Sequence, residues 1–179
     1  VRQEIRISGF GGQGVMLAGF LLGKALSLYQ DLEAVMTQSY GPEARGGASS
    51  ASIVVADYPI AYPFIQNADV LIALSQEGYT RYRSETKPDG VIVIDEGLVN
   101  PKAGDQTLAI PATKLAEGMG RRIVANVVML GYFCAISDVI TREGMEEAIR
   151  TSVKPKTLSL NMKAFEAGFA YAKEEVSGS

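Results

Sequence analysis

Apolar and polar positions along the chain fall into alternating blocks of two periods. Ile5-Arg6-Ile7-Ser8 alternates apolar with polar and stops at Gly9-Phe10-Gly11-Gly12-Gln13-Gly14, which predicts a strand entering a tight turn. Val15, Leu17, Ala18, Leu21, Leu22, Ala25, Leu26 and Leu28 then recur at helical spacing, so an apolar helix over about 13–29 is expected to be buried against a sheet. Short β-branched runs predict strands at 34–37, 50–56 and 107–110, and the stretch 58–63 reads as an extended connection stiffened by Pro59 and Pro63. The runs 68–74 and 90–95 are continuously apolar between turn residues, the pattern of parallel strands covered on both faces. Helices are predicted at 76–86, from Pro111 onward, and at about 123–137, 142–151 and 159–174, with Thr141 as an N-cap.

Strands alternating with helices in this order predict an α/β fold. The expectation is a single Rossmann-like domain over 1–179, with a mostly parallel sheet, helices on both faces and a helical C-terminal third.

Composition narrows the chemistry. Of 179 residues 47% are hydrophobic and 21% charged, and the net charge is −3, so the chain folds and lacks the basic face that nucleic-acid binding needs. There is one cysteine, Cys134, and no histidine, which excludes zinc sites, cysteine-bound iron–sulfur clusters, disulfides and histidine-based acid–base catalysis within this chain. No apolar run reaches the ~18 residues of a membrane span, and the start carries no leader pattern. A cytoplasmic protein without membrane insertion is expected.

Gly9, Gly11 and Gly14 satisfy G-x-G-x-x-G between a strand and a helix. Such a turn presents backbone N–H groups and the positive end of a helix dipole to a phosphate, pyrophosphate or carboxylate. The same glycines would also serve a tight turn that holds no ligand. A nicotinamide dinucleotide is disfavoured, because Asp31 and Glu33 precede the second strand and its end carries Thr37, Gln38 and Ser39 where a ribose-binding acid is needed. A second constellation, Tyr40-Gly41-Pro42-Glu43-Ala44-Arg45-Gly46-Gly47, places an aromatic ring, a carboxylate and a guanidinium on the same rim. Arg45 suits bidentate binding of an anion, or Glu43 and Arg45 pair with each other and order the loop.

Together, Gly-Gly-Gln-Gly at 11–14 and Tyr-Gly-Pro-Glu-Ala-Arg-Gly-Gly at 40–47 resemble the gamma subunit of the 2-oxoacid:ferredoxin oxidoreductases, and the segments 68–73 and 125–131 extend the resemblance. The Ser-Gly-Phe-Gly-Gly-Gln-Gly and Ser-Tyr-Gly-Pro-Glu forms are most similar to the 2-oxoglutarate branch. The resemblance implies a share in oxidative decarboxylation of a 2-oxoacid with coenzyme A, giving acyl-CoA, carbon dioxide and two electrons for ferredoxin. It implies no tightly bound cofactor on this chain: thiamine diphosphate, magnesium and iron–sulfur clusters would sit on other subunits, with coenzyme A as co-substrate. The chain has no Gly-Asp-Gly thiamine motif, since Gly104-Asp105-Gln106 departs at its third position. Implied partners are thiamine-binding alpha and beta subunits and a ferredoxin-like delta subunit or ferredoxin, and isolated copies would expose an apolar face through which they form a homodimer. On this reading Gly11, Gly12, Gln13, Gly14 and Arg45 face coenzyme A. Tyr40, Gly41, Pro42, Glu43, Gly46, Gly47 and Asn126 shape the rim or a subunit interface, and none makes or breaks a bond.

Four further features stay open between packing and contact. Asn126 is polar within an apolar helix and reads as a buried anchor or an interface group. Cys134 reads as a core or interface thiol, and Tyr79, Arg81, Tyr82 and Arg83 as a solvated helix face. Leu158, Met162, Phe165, Phe169 and Ala172 form a stripe that suits either the core or a partner. Two rival readings remain: a free-standing nucleotide-binding protein and a purely structural adaptor.

Overall fold

The computed structural model describes residues 1–39 and 47–179. Six strands, β1 (Arg2–Gly9), β2 (Glu33–Ser39), β3 (Ser49–Ala56), β4 (Ala68–Ala73), β5 (Thr86–Asp95) and β6 (Thr107–Ile110), form one sheet in the order β2-β3-β1-β4-β5-β6. The helices are α1 (Val15–Tyr29), α2 (Gln76–Tyr82), α3 (Ala112–Gly118), α4 (Ala125–Ile136), α5 (Arg142–Ser152) and α6 (Leu158–Ser177). β1 pairs in parallel with β4, β4 with β5 and β5 with β6, while β3 runs antiparallel to both β1 and β2. The mostly parallel α/β sheet is as expected, and the reversed β3 is new. Residues 40–48 are too few for a crossover helix, which takes about a dozen residues, so the chain returns beside β2 instead.

β5 also begins earlier than its apolar run. Its pairing jumps from Ala68 opposite Thr86 to Val70 opposite Val91, so Lys87–Gly90 form a bulge that absorbs Pro88.

The two faces of the sheet are unequal. Ile5, Ile7, Ile53, Val55, Ile72 and Val93 point to the face covered by α1, α3, α4, α5 and α6, and the opposite face packs Leu71, Ala73, Ile92 and Ile94 against α2. α4 is buried on every side, which explains why its sequence shows no polar stripe. It crosses α6 at Gly131 and Gly168, where an added methyl on either glycine would overlap a backbone carbonyl of the facing helix, Phe165 or Val128. Most of the α6 stripe is core: Phe165 and Ala172 are buried and Met162 and Phe169 pack half-buried against them, while Leu158 stays outside the core cluster. Cys134 is buried too, and its thiol is pushed up to about 12 by that burial, so it is inert. Thr141 caps α5, its hydroxyl accepting from the Gly144 N–H at 3.1 Å.

Two expectations are corrected. α1 buries Leu21, Leu22, Ala25 and Leu26 but leaves Phe20 51% and Leu28 66% exposed, because its apolar residues encircle it. Tyr79 and Tyr82 are core residues and not a solvated face. Tyr82 donates to Ser50 Oγ at 3.0 Å under the Arg6 and Arg81 guanidiniums, and Tyr79 donates to Asp105 while its hydroxyl accepts from the Lys102 N–H at 2.9 Å.

Asp105 also binds Arg83 through two contacts of 2.6 Å. These hydrogen bonds, the arginine's first and then the tyrosine's, hold its carboxyl down to about 2. A folded-state value below the unfolded one near 4 means that this cluster stabilises the fold at neutral pH and loses its contribution as pH falls from about 4 to 2. Asp105→Asn is accordingly expected to melt earlier than the unaltered chain at pH 7, with the gap closing by about pH 2 in thermal scans across that window.

Candidate functional site

The chain leaves β1 through α1 toward β2 and leaves β4 through α2 toward β5, so the carboxyl ends of the neighbouring strands β1 and β4 flank the point where the topology reverses. Open α/β sheets place ligands at such a point. The glycine turn sits there, tied across the gap by the Leu74 N–H donating to the Ser8 carbonyl at 2.8 Å.

Within the turn the glycines have different reasons for being there. A Cβ on Gly9 would meet Gln13 Oε1 at 2.6 Å, and one on Gly14 would strike the Asn126 amide. Gly12 and Gly14 hold left-handed backbone, φ 89° and 73°. Gly11 and Gly12 face open space, with nothing within 4 Å of an added Cβ. These two positions present bare backbone outward.

Gln13, grouped with the anion-facing residues from sequence, has both side-chain ends engaged within the protein. Oε1 accepts from the Phe10 N–H at 2.6 Å and Nε2 donates to the Leu74 carbonyl at 2.9 Å. Asn126 is 3% exposed, and its Nδ2 donates to the Gly14 carbonyl at 3.0 Å, which makes it a buried anchor. Gly47 has φ 76° and lies beside the Phe10 ring, 3.7 Å from where its Cβ would be. Tyr40, Gly41, Pro42, Glu43, Arg45 and Gly46 lie outside the described residues. Their flanks are described: β2 ends at Ser39 and β3 starts at Ser49, both on the rim of the glycine turn, since Gly9 pairs with Ser49 and Ser8 with Ser50.

Behind the turn lies a cavity of about 180 Å³ lined by Gly12, Gln13, Leu74, Thr113, Arg122 and Ala125. That is below the ~300 Å³ of a typical ligand pocket, so it suits one end of a ligand. The start of α1, with no side-chain cap from Gly14 and no acid in its first turn, lines a second hollow of about 420 Å³ together with Phe10, Gly11 and Gly12, while the first N–H groups of α4 are taken by the Arg121 and Arg122 carbonyls and by Asn126 Oδ1. α3 in turn is capped by the buried Asp95, whose Oδ2 accepts from the Thr113 N–H at 3.0 Å and from its hydroxyl at 2.6 Å. One uncapped helix end, that of α1, therefore stands beside the glycine turn, and Arg122 adds a full charge at the cavity. Its one carboxylate neighbour among the described residues, Glu117, is 3.9 Å away and the pair is exposed, so the guanidinium is nearly free to turn to an anion. Sequence reading passed over Arg122. The available signal was the Gly-Arg-Arg step at 120–122, just before a helix start.

Among the described residues no cluster of His, Cys, Asp and Glu comes together to hold a metal, and no helix is long and apolar enough to cross a membrane.

Comparison with known proteins agrees with this architecture. Residues 4–171 match the family model described as pyruvate ferredoxin/flavodoxin oxidoreductase. The chain is 46% identical over 179 residues to 2-oxoglutarate synthase subunit KorC of Methanocaldococcus jannaschii, covering 97% of this chain and 96% of that one. Among solved structures, the gamma subunit of keto/oxoacid ferredoxin oxidoreductase from Geobacter sulfurreducens superposes with a TM-score of 0.85 at 40% identity, over 96% of this chain and 99% of that one. The 2-oxoglutarate:ferredoxin oxidoreductase of Magnetococcus marinus, solved with 2-oxoglutarate, coenzyme A and succinyl-CoA bound, shares the fold, with a TM-score of 0.86 at 23% identity over 97% of this chain and 31% of that longer one. The chain belongs to the pyruvate ferredoxin/flavodoxin oxidoreductase family.

Proposed function

We propose that this chain is the gamma subunit of a 2-oxoglutarate:ferredoxin oxidoreductase, inactive alone, and that its glycine turn forms part of the coenzyme A side of the active centre. The observation that carries this reading is the bare backbone of Gly11 and Gly12 at the topological switch point, with the uncapped start of α1 on one side and the Arg122 cavity on the other. A phosphate-bearing co-substrate is the chemistry that such a cradle selects. The 46% identity to a 2-oxoglutarate synthase subunit supports 2-oxoglutarate as the oxoacid.

Thiamine diphosphate would supply carbanion stabilisation and iron–sulfur clusters the path for two electrons, both from partner subunits. This chain's donor set does not fit a cluster, since its one cysteine is buried. Its own residues bind and orient: the turn receives phosphate oxygens, Arg122 neutralises their charge, and the exposed Phe10, Leu17 and Phe20 give alpha and beta subunits an apolar surface to close on. On this reading Arg45 would face coenzyme A, Tyr40, Gly41, Pro42, Glu43, Gly46 and Gly47 would shape the rim toward those subunits, and a delta subunit or free ferredoxin would take the electrons. Assembly in the cytoplasm fits this reading.

The test is hydrogen exchange on the assembled complex. Coenzyme A is expected to slow exchange in the peptide spanning 10–17, and 2-oxoglutarate-driven reduction of a low-potential dye is expected to require coenzyme A. Protection confined to partner subunits would remove the glycine turn from the site.

A further inference from the structure

The glycine turn is held at both ends by amide side chains, one from within the turn and one from α4. Gln13 folds back over the turn to accept from the Phe10 N–H at 2.6 Å, and its other end donates to the carbonyl of Leu74 at the exit of β4, at 2.9 Å. Asn126 comes from the first turn of α4 and donates to the Gly14 carbonyl at 3.0 Å, while its Oδ1 accepts from the Val127 N–H at 2.9 Å. Each amide thus links the turn to a rigid neighbour and leaves no hydrogen-bonding end idle. Between the two grips lie Gly11 and Gly12, the positions with open space in front of them. The steric pattern agrees, because the missing side chains at Gly9 and Gly14 make room for Gln13 and Asn126 themselves.

We infer that Gln13 and Asn126 are positioning residues: they hold the Gly11–Gly12 backbone in the geometry that the co-substrate's phosphate meets, without touching it through their side chains. This rests on the coenzyme A reading given above. A glycine-rich turn left unbraced spreads over many backbone conformers, and ordering it costs conformational entropy, most of all at glycine. With the braces in place that ordering is complete before the ligand arrives, and binding does not have to supply it.

The test measures steady-state kinetics of the assembled complex carrying Asn126→Ala or Gln13→Ala, beside Gly12→Asp and a stability control, Cys134→Ala, toward the far end of α4. Each brace variant is expected to raise the apparent KM for coenzyme A about tenfold, the effect of losing one well-made hydrogen bond, with kcat and the KM for 2-oxoglutarate unchanged. Cys134→Ala should move neither Michaelis constant, so a general loss of stability in α4 cannot mimic the result. If Gly12→Asp raises the coenzyme A KM and the brace variants do not, the positioning role is overturned and the site stands. If none of the three raises it, the coenzyme A reading falls as well. Should Asn126→Ala fail to assemble, Gln13→Ala decides alone, because Gln13 lies in a surface turn outside the helical core.

Discussion

Gly168→Ala is expected to destabilise the fold by about 4 kcal/mol, a large share of the ~5–15 kcal/mol that a domain has. The added Cβ would overlap the Val128 carbonyl oxygen and come within 2.8 Å of the Tyr132 nitrogen, and these are backbone atoms that cannot rotate away. α4 and α6 must move apart, which opens voids around Phe165 and Tyr132, so overpacking and cavity costs add. Gly131→Ala meets the Phe165 carbonyl and should behave alike. Urea titration measures it. Gly118→Ala, with open space around it, should be neutral or stabilising by up to about 1 kcal/mol, since alanine favours a helix. Equal urea midpoints for Gly168→Ala and the unaltered chain would mean that the helices do not cross here.

The second large effect is functional. Gly12→Asp in the assembled complex is expected to raise the apparent KM for coenzyme A by a hundredfold or more, equivalent to about 2.7 kcal/mol. Nothing lies within 4 Å of the new Cβ, so the side chain is tolerated sterically, and aspartate accepts left-handed backbone better than most residues. Its carboxylate would stand where an anionic phosphate is to sit. In a partly desolvated site two like charges 4 Å apart repel by several kcal/mol, at an effective dielectric of about 20. Gly12→Ala separates strain from charge: it carries the same φ of 89° without the carboxylate and should raise the KM less than tenfold. Equal effects from alanine and aspartate would point to backbone strain and away from anion binding.

Most elements were legible because hydrophobic blocks end at clear turn residues, and the helix start at Thr141 was legible from its hydroxyl. The continuously apolar β4 and β5 showed their parallel direction, but β3 is as buried on both faces and its own pattern does not tell it from them. For β3 it is the short connection 40–48 that decides, a length and not a composition. Tyr79 and Tyr82 were misread because the groups that bury them, Asp105, Ser50 and Arg6, lie far away in sequence. α1 was misread for the opposite reason: apolar residues on every side imply complete burial, yet only one side meets the sheet. The glycine turn was legible as a motif, whereas Arg122 joins it only through the packing of α4. Asn126 stood out as a polar residue in an apolar helix, but its partner, the Gly14 carbonyl, is a tertiary fact.

The close crossing of α4 and α6 has a consequence for how this sequence can change over time. At Gly131 and Gly168 each glycine meets the other helix's main chain, and no compensating side-chain replacement can relieve a larger residue there. The only remedy is to displace a helix axis. Asn126 rides on the same helix, and its 3.0 Å contact with Gly14 breaks once the shift reaches about an ångström. Gly131 and Gly168 are thereby as constrained as the glycine turn itself, although neither lies in it, and substitutions at the crossing and at the turn should be inherited as one linked set.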